Sequence, residues 1–399
     1  MILNLKSNLK YKMSIDFSRA NIEACEPTVH IVDKDITYGL DLFSYDKCSN
    51  EESPLIKQSR GLVYYNDLLI MKAFPYSDEY SVNDEKLPTI LNDLSEWSFF
   101  DSYEGSLVRL FYFRGKWFVS THRKLDAFRS KWSCKDSFGE LFVRALTHET
   151  ERDPDFLYSL PEGKDILERF QNSLDETKQY MFLVRNNEEN RIVCQVPTQE
   201  EPHVLHVGTF VNGILSFSDN CGLSKPVRLS FTNIEDLLKY VSNVNHNNLQ
   251  GIVCFGPDNL QIKVYNPAYE ELFKIRGNEP SVRYRYLQLR SDNEAVRKLK
   301  ELYPNMVSVF ESCEATLFEI AQNIYRAYVN RFIKKQYVII PKDQYKVMSE
   351  CHGWHIEDRV NHKISLAKVI AVLNSQPATA LNHMIHEVNQ ANKVGVENK

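Results

Sequence analysis

The feature that most constrains the fold is a series of short apolar and aromatic runs, each cut off by a two-residue turn signal. SLVRLFYF (106–113) and KWFVST (116–121) flank Arg114–Gly115, and GLVYYNDLLIMKA (61–73) breaks in the same way at Asn66–Asp67. Runs of this length, rich in β-branched and aromatic side chains and closed by Asn, Asp or Gly, predict hairpins. The runs continue as YMFLVR (180–185), RIVCQV (191–196), HVLHVGTFV (203–211), ILSFS (214–218), GIVCF (251–255) and LQIKVY (260–265). Few helix-length intervals separate them. The expectation is therefore an α+β fold on antiparallel sheet, not a doubly wound parallel one.

Helical periodicity interrupts this pattern twice. DSFGELFVRALTHE (136–149) has apolar residues at helical spacing, with Asp136 or Ser137 available as cap, and NIEDLLKYVSNV (233–244) pairs Asn233 with Asp236 at capping distance. Beyond about Ser291 the character changes. EATLFEIAQNIYRAYVNRFIKK (314–335) and ISLAKVIAVLNS (364–375) read as amphipathic helices. The expected organisation is an N-terminal extension and start of the core (1–54), a strand-rich domain (55–285) and a helical C-terminal domain (286–399). Between Lys274 and Lys368, 17 Lys and Arg face 11 Asp and Glu, although the whole chain carries a formal charge of −5. Solvated helices or a surface for a phosphate backbone account for that asymmetry equally well.

Eight Cys occur without repeated CxxC spacing, so reduced thiols are expected. No apolar stretch approaches the eighteen residues of a membrane span, and MILNLKSNLKYKM lacks a signal-peptide cleavage site. A soluble intracellular (cytoplasmic) protein is the expectation, with no membrane partner. Cys351, His352, His355 and His362 cluster in CHGWHIEDRVNH, but no defined fourth-ligand geometry follows, so no metal site is assigned.

Five pieces of the chain recur in a meaningful order: SRG (59–61), SYEGS (102–106), NRIV (190–193), QGIV (250–253) and QIKVYNPAY (261–269). This series resembles the adenylyltransferase domain of RNA ligases of the phage T4 RNA ligase 1 type, within the covalent nucleotidyltransferases, over roughly residues 55 to 275. The resemblance implies an ATP-grasp-like, antiparallel-sheet adenylation core of the RNA and DNA ligase type, followed by a domain for RNA. It also implies ATP with Mg²⁺ as the cofactor, and a lysine that attacks the α-phosphate. Such an amine must be partly deprotonated, carboxylates must hold the metal, and further lysines must neutralise phosphate charge.

Carried onto this chain, the lysine position of the lysine-x-acid-glycine motif falls on Ser102, while Glu104 and Gly105 are kept. The third-motif glutamate falls at Val184, the fourth-motif acid at Gln250, and the first of two fifth-motif lysines at Gln261, leaving Lys263 as the second. Arg60 matches the upstream arginine. Arg60, Glu104, Gly105 and Lys263 are thus the candidate nucleotide-binding residues, and Ser102, Val184, Gln250 and Gln261 the degenerate positions. Losing one preorganised electrostatic group costs roughly 3 to 4 kcal/mol of transition-state stabilisation. With the nucleophile, two carboxylates and a phosphate lysine all absent, no catalytic residue is expected. Any ATP would be bound non-covalently.

Basic residues interleaved with aromatics offer phosphate contacts and stacking platforms. Arg114, Lys116, Arg123 and Lys124 do so around Trp117, while a solvated hairpin with its aromatics in the core is the plainer reading. In SVRYRYLQLR (281–290) strand alternation places Arg283 and Arg285 on one face. Arg326, Arg331, Lys334 and Lys335 fit one side of a helix. Three functions compete: an inactive ligase-like protein binding RNA or RNA ends, a divergent active ligase with another nucleophile, and a structural subunit with a protein partner.

Overall fold

A computed structural model describes residues 15–187, 191–198 and 201–397. The chain divides into two compact units, Met1–Glu271 and Leu272–Lys399. The division falls inside the helix Pro267–Arg276, upstream of residue 286, because the next helix, Val282–Leu289, packs with later helices, Asn293–Leu302 and Ala378–Glu397.

The first unit holds three sheets. β1 (Val29–Asp35), β2 (Leu40–Tyr45), β3 (Leu62–Tyr65) and β4 (Leu68–Met71) form an antiparallel meander, so residues of the 1–54 stretch supply half of the first sheet. β5 (Asp78–Ser81), β6 (Ser98–Ser102), β12 (Arg228–Leu229), β13 (Gly251–Phe255) and β14 (Gln261–Tyr265) form the second, in the order β12-β6-β13-β14-β5. All its pairs are antiparallel except β14 with β5. β7 (Ser106–Phe113), β8 (Lys116–Ser120), β9 (Lys178–Arg185), β10 (His203–Val211) and β11 (Ile214–Ser216) form the third, wholly antiparallel, in the order β11-β10-β9-β7-β8. The predicted α+β architecture is thus observed. Asn66, Arg114, Asn212 and the glycines at 115 and 213 take positive φ in the hairpin turns, as the turn signals require.

Apolar burial joins these layers. Leu42, Val63 and Met71 from the first sheet meet Phe100 and Phe255 from the second and Phe111, Met181 and Phe210 from the third. The outer face of the third sheet is covered by the helix Phe138–Arg152, through Leu141, Phe142 and Ala145. The helix Ile234–Asn243 covers the second sheet, through Leu237 and Val241. Both helices start as their sequences predict: Ser137 and Glu140 form a reciprocal capping box, and the Asn233 side chain accepts from the Asp236 amide.

Two sequence expectations are corrected. Residues 191–196 form no strand, because the amides of Ile192, Val193 and Cys194 are directed at a carboxylate and those of Gln195 and Val196 at the Asn247 carbonyl and Asn187 Oδ1 instead of a neighbouring strand. SVRYRYLQLR is helical from Val282 to Leu289, capped by Ser281 with Val282, Tyr286 and Leu287 buried, so Arg283 and Arg285 share no strand face.

The second unit is helical among its described residues, with helices Val307–Tyr328, Lys342–Glu357, Leu366–Asn374 and Ala378–Glu397 following the two named above. Tyr286 stacks on Phe310, and Arg290 bridges to Glu314. The long helix ends in a π turn, Val329–Ile333. Arg326 therefore lies in the helix and Arg331 in the π turn. Lys334 and Lys335 follow it, Lys335 with φ 58°, so these four residues do not line one side of a helix. Among the described residues no helix is long and apolar enough to cross a membrane.

Candidate functional site

β6 ends at Ser102 and β7 begins at Ser106, so SYEGS is the link by which the chain leaves the second sheet for the third. Gly105 is required there, since a Cβ would lie 2.7 Å from the Val184 carbonyl oxygen and 2.8 Å from Leu183. Ser102 pairs with Gly251, which brings Gln250 alongside, and β14 places Lys263 two residues before Tyr265, the other neighbour of Gly251.

A polar chain links these residues. Ser102 Oγ donates to Gln250 Oε1 at 2.9 Å and Lys263 Nζ donates to the same oxygen at 3.1 Å. Gln250 Nε2 donates to the Tyr269 hydroxyl at 2.8 Å, and that hydroxyl donates to Glu104 Oε1 at 2.8 Å. The Glu104 carboxylate also accepts from three successive amides, Ile192, Val193 and Cys194, at 2.8 to 3.2 Å. Successive amides converging on one anion make a backbone nest. Here the protein's own glutamate fills it.

The electrostatics follow from burial. Burial pushes the Glu104 carboxyl above the usual range, opposed by the Tyr269 hydroxyl and the three amides. Burial, and then Glu104, raise the Tyr269 phenol well above its ordinary value. Desolvation lowers the Lys263 ammonium, against the pull of Glu79. The space beside Glu104, bounded by Gly105, Val184, Arg185 and Cys194, is only about 10 Å³, too little for a nucleotide.

A larger cavity of about 390 Å³ is bordered by Lys263 and walled by Arg60, His122, Arg123, Tyr45, Tyr76 and Glu79. Arg60 is positioned from its neighbour. Gly61 sits at φ 80° and its carbonyl accepts from Arg109 Nη1 at 2.5 Å, while Arg109 Nη2 donates to the Thr121 carbonyl at 2.6 Å. A Cβ at Gly61 would stand 2.6 Å from that guanidinium and 2.8 Å from His122 Cα. Arg109 is fully buried and forms no ion pair among the described residues. Burial, then Arg60, push it down to about 9. Burial and the guanidinia of Arg60, Arg109 and Arg123 push the His122 imidazole well below its usual value. Of the cavity's two carboxylates, Asp46 binds Arg123 at 2.7 Å and Glu79 accepts from the Tyr265 hydroxyl at 2.7 Å. Lys47, Arg60 and Lys263 complete a cationic wall.

The sequence-predicted residues therefore separate into groups. Ser102, Glu104, Gln250 and Lys263 share one network, with Gly105 and Val184 packed beside it, and Lys263 joins Arg60 in the adjoining cavity. Val184 itself is buried among the residues under the helix Phe138–Arg152. Gln261 stays outside the network; its Oε1 is buried with no partner among the described residues. Asn190 lies outside the described residues. Tyr269 closes the run QIKVYNPAY but was given no role there, and His122 escaped sequence reading, since nothing in its spacing marks it. Arg109 carried a signal, a lone charge in the apolar run SLVRLFYF.

The basic surface expected around β7 and β8 is largely engaged within the protein. Arg114 lies over the Tyr65 ring at 4.1 Å and Lys116 over Phe118 at 4.6 Å. Arg123 pairs with Asp46, and Lys124 with Asp33 at 3.4 Å. In the helical unit Arg283 donates to Asn382, and Arg285 to the carbonyls of Lys274 and Ile275. Arg326, Lys334 and Lys335 are exposed.

No protein-family model matches the chain. It is similar in sequence to the immediate-early protein ICP-46 homolog of Invertebrate iridescent virus 6, at 28% identity over 336 residues, 80% of this chain and 72% of that protein. The homolog of the same name from Invertebrate iridescent virus 3 is 29% identical over 335 residues, 80% of this chain and 70% of that protein. Immediate-early protein ICP-46 of Frog virus 3 is 27% identical over 248 residues, 60% of each chain. Among solved structures, an archaeal ATP-dependent RNA ligase (form 2) aligns with TM-score 0.41 at 12% identity, covering 74% of this chain and 79% of that one. Form 1 aligns with TM-score 0.40 at 13% identity, covering 72% and 76%. The structural likeness is distant, and no residue role is carried over from it.

Proposed function

We propose that this protein is a catalytically inactive, RNA-ligase-like protein that holds a phosphorylated RNA end without covalent chemistry. One observation carries the reading. The residues at the position of covalent attack satisfy one another, while a cationic cavity beside them keeps Arg60 and Lys263 facing open space. Ser102 is a hydroxyl bound to an amide oxygen that also holds Lys263, so no carboxylate or neutral imidazole is bonded to it as a base.

The residues present do not fit a protein-held Mg²⁺. Glu104 is saturated by four donors, Glu79 is bound to Tyr265, and among the described residues no group of three or more His, Cys, Asp or Glu is placed to hold a metal. No step is assigned to the ion.

The cavity's size falls within the ~300–1,000 Å³ of ordinary small-ligand sites, and guanidinium groups suit phosphate bidentately. It favours a terminal phosphate or an ATP bound non-covalently. The exposed Arg326, Lys334 and Lys335 add a second basic stretch in the helical unit. A protein partner is favoured by a different observation in that unit: Tyr337 and Ile339, in the segment after the π turn, are 88% and 82% exposed.

Fluorescence anisotropy with single-stranded RNA bearing a 5′-phosphate or a 5′-hydroxyl tests the reading. The phosphorylated end should bind more tightly, and Arg60→Ala should remove about tenfold of that preference, the size of one charge-assisted contact. Equal affinity for both ends contradicts the proposal.

A further inference from the structure

In the helical unit, residues 334–341 join the π turn Val329–Ile333 to the helix Lys342–Glu357 and belong to no helix or sheet. Both ends of this segment are tied. The Lys334 amide donates to the Val329 carbonyl and the Gln336 amide to the Asn330 carbonyl, while the Pro341 carbonyl accepts from the Tyr345 amide. Arg331 lies over the Tyr345 ring at 5.3 Å, which draws the two ends together. Between the ties, the backbone N–H and C=O groups of Tyr337, Val338, Ile339 and Ile340 form no hydrogen bond among the described residues.

These four residues are of strand type. Tyr, Val and Ile favour extended backbone, and Pro341, itself at φ −55° and ψ 151°, keeps Ile340 out of the helical region. Burial alternates along the run: Tyr337 and Ile339 are exposed, Val338 and Ile340 half-buried. That is the period of a strand lying on a surface with one face outward. Unpaired backbone beside exposed apolar side chains is a template for another strand.

Charge decides which strand. Lys334 and Lys335 precede the run and Lys342 follows it; all three are exposed, and none forms an ion pair among the described residues. Asp343, next to Lys342, pairs with His383 at 2.7 Å instead. A second copy of the chain is a poor occupant. Antiparallel self-pairing about Val338 and Ile339 sets Lys335 opposite Lys342, and parallel in-register pairing sets each lysine against itself. Like charges meet either way. A strand with carboxylates at both ends meets the lysines favourably.

We propose that Tyr337–Ile340 pairs edge to edge with an acidic peptide strand of a partner protein. Main-chain hydrogen bonds join the two, apolar side chains of the partner cover Tyr337 and Ile339, and its flanking carboxylates meet Lys335 and Lys342. Pro341 offers no N–H, which confines the pairing to the run before it. The inference rests on the protein-partner reading above and gives it a recognition mode; it does not draw on the Arg60 cavity.

Anisotropy titrations with the full chain test it, using a labelled peptide of alternating Val and Thr flanked by glutamates. A lysine-flanked counterpart and one with a central proline serve as comparisons. The glutamate-flanked peptide should bind, and each of the others should bind about tenfold or more weakly. Amide hydrogen exchange at residues 337–340 should slow on saturation. Lys335→Glu together with Lys342→Glu, both exposed changes, should reverse the preference between flanks. Added salt should narrow that preference without abolishing the slowed exchange. No binding of the glutamate-flanked peptide, or equal binding of both flanks, overturns the proposal. Binding without slowed exchange also overturns it, while leaving a protein contact at Tyr337 and Ile339. Exchange that slows when the protein alone is concentrated assigns the run to a second copy, and exchange that slows with 5′-hydroxyl single-stranded RNA assigns it to RNA; either result overturns it. The peptides carry no phosphate and the exchange is read in the helical unit. Failure here therefore leaves the Arg60 reading standing, and failure there leaves this one.

Discussion

Ser102 and Lys263 are held by one oxygen of Gln250, and that shared acceptor decides what single substitutions can do. Ser102→Lys would set a second ammonium beside Lys263, with no carboxylate bonded to either, so like-charge repulsion opposes the new side chain. No nucleotide adduct is expected from that variant, as an ATP incubation followed by denaturing electrophoresis would show. Glu104→Gln turns an amide nitrogen toward donors that now meet a carboxylate. A loss of about 3 kcal/mol or more is expected in chemical denaturation. The two depressed histidines set a pH dependence. His122 and the buried His206 titrate below the usual ~6.5 in the folded chain, so between the folded and unfolded values the unfolded state binds more protons. Their contribution is fully present above about pH 6.5 and is lost as pH falls through the folded values. Unfolding free energy should therefore decline on acidification, and His206→Gln should flatten the lower part of that decline, toward about pH 4.

At the scale of elements, the helix Phe138–Arg152 depends on its start. Ser137→Ala removes the capping box and should cost about 1 kcal/mol, read as a shift in denaturation midpoint at unchanged slope. The elements that sequence disclosed were those with local causes: hairpins with Asn, Asp or Gly in their turns, and helices with side-chain caps or, as in Val307–Tyr328, sustained apolar periodicity. β1 was missed because VHIVDKD mixes charged residues into a half-exposed strand, so alternation is blurred. RIVCQV has strand composition, yet its amides bind Glu104, some ninety residues earlier in the chain. That partner is not visible in the run itself. SVRYRYLQLR alternates like a strand over its first five residues, but burial of Val282, Tyr286 and Leu287 follows a helical repeat. The candidate site divides along the same line. Ser102, Glu104, Gln250, Lys263 and Tyr269 stood in ordered motifs, whereas His122 enters only through the packing that sets it beside Gly61 and Arg60.

Over the whole molecule a formal charge of −5 coexists with a cationic cavity in the first unit and exposed lysines in the second. Binding of RNA should accordingly be local and salt-dependent, weakening steadily between low and physiological salt in proportion to the phosphates neutralised. A salt-insensitive complex would point instead to the apolar residues of the helical unit. The most direct measurement of the central claim is the intact mass of the full chain after incubation with ATP and Mg²⁺. An unchanged mass is the predicted result. A gain equal to one nucleoside monophosphate less water, mapped to Lys263 or to any other residue, would contradict it.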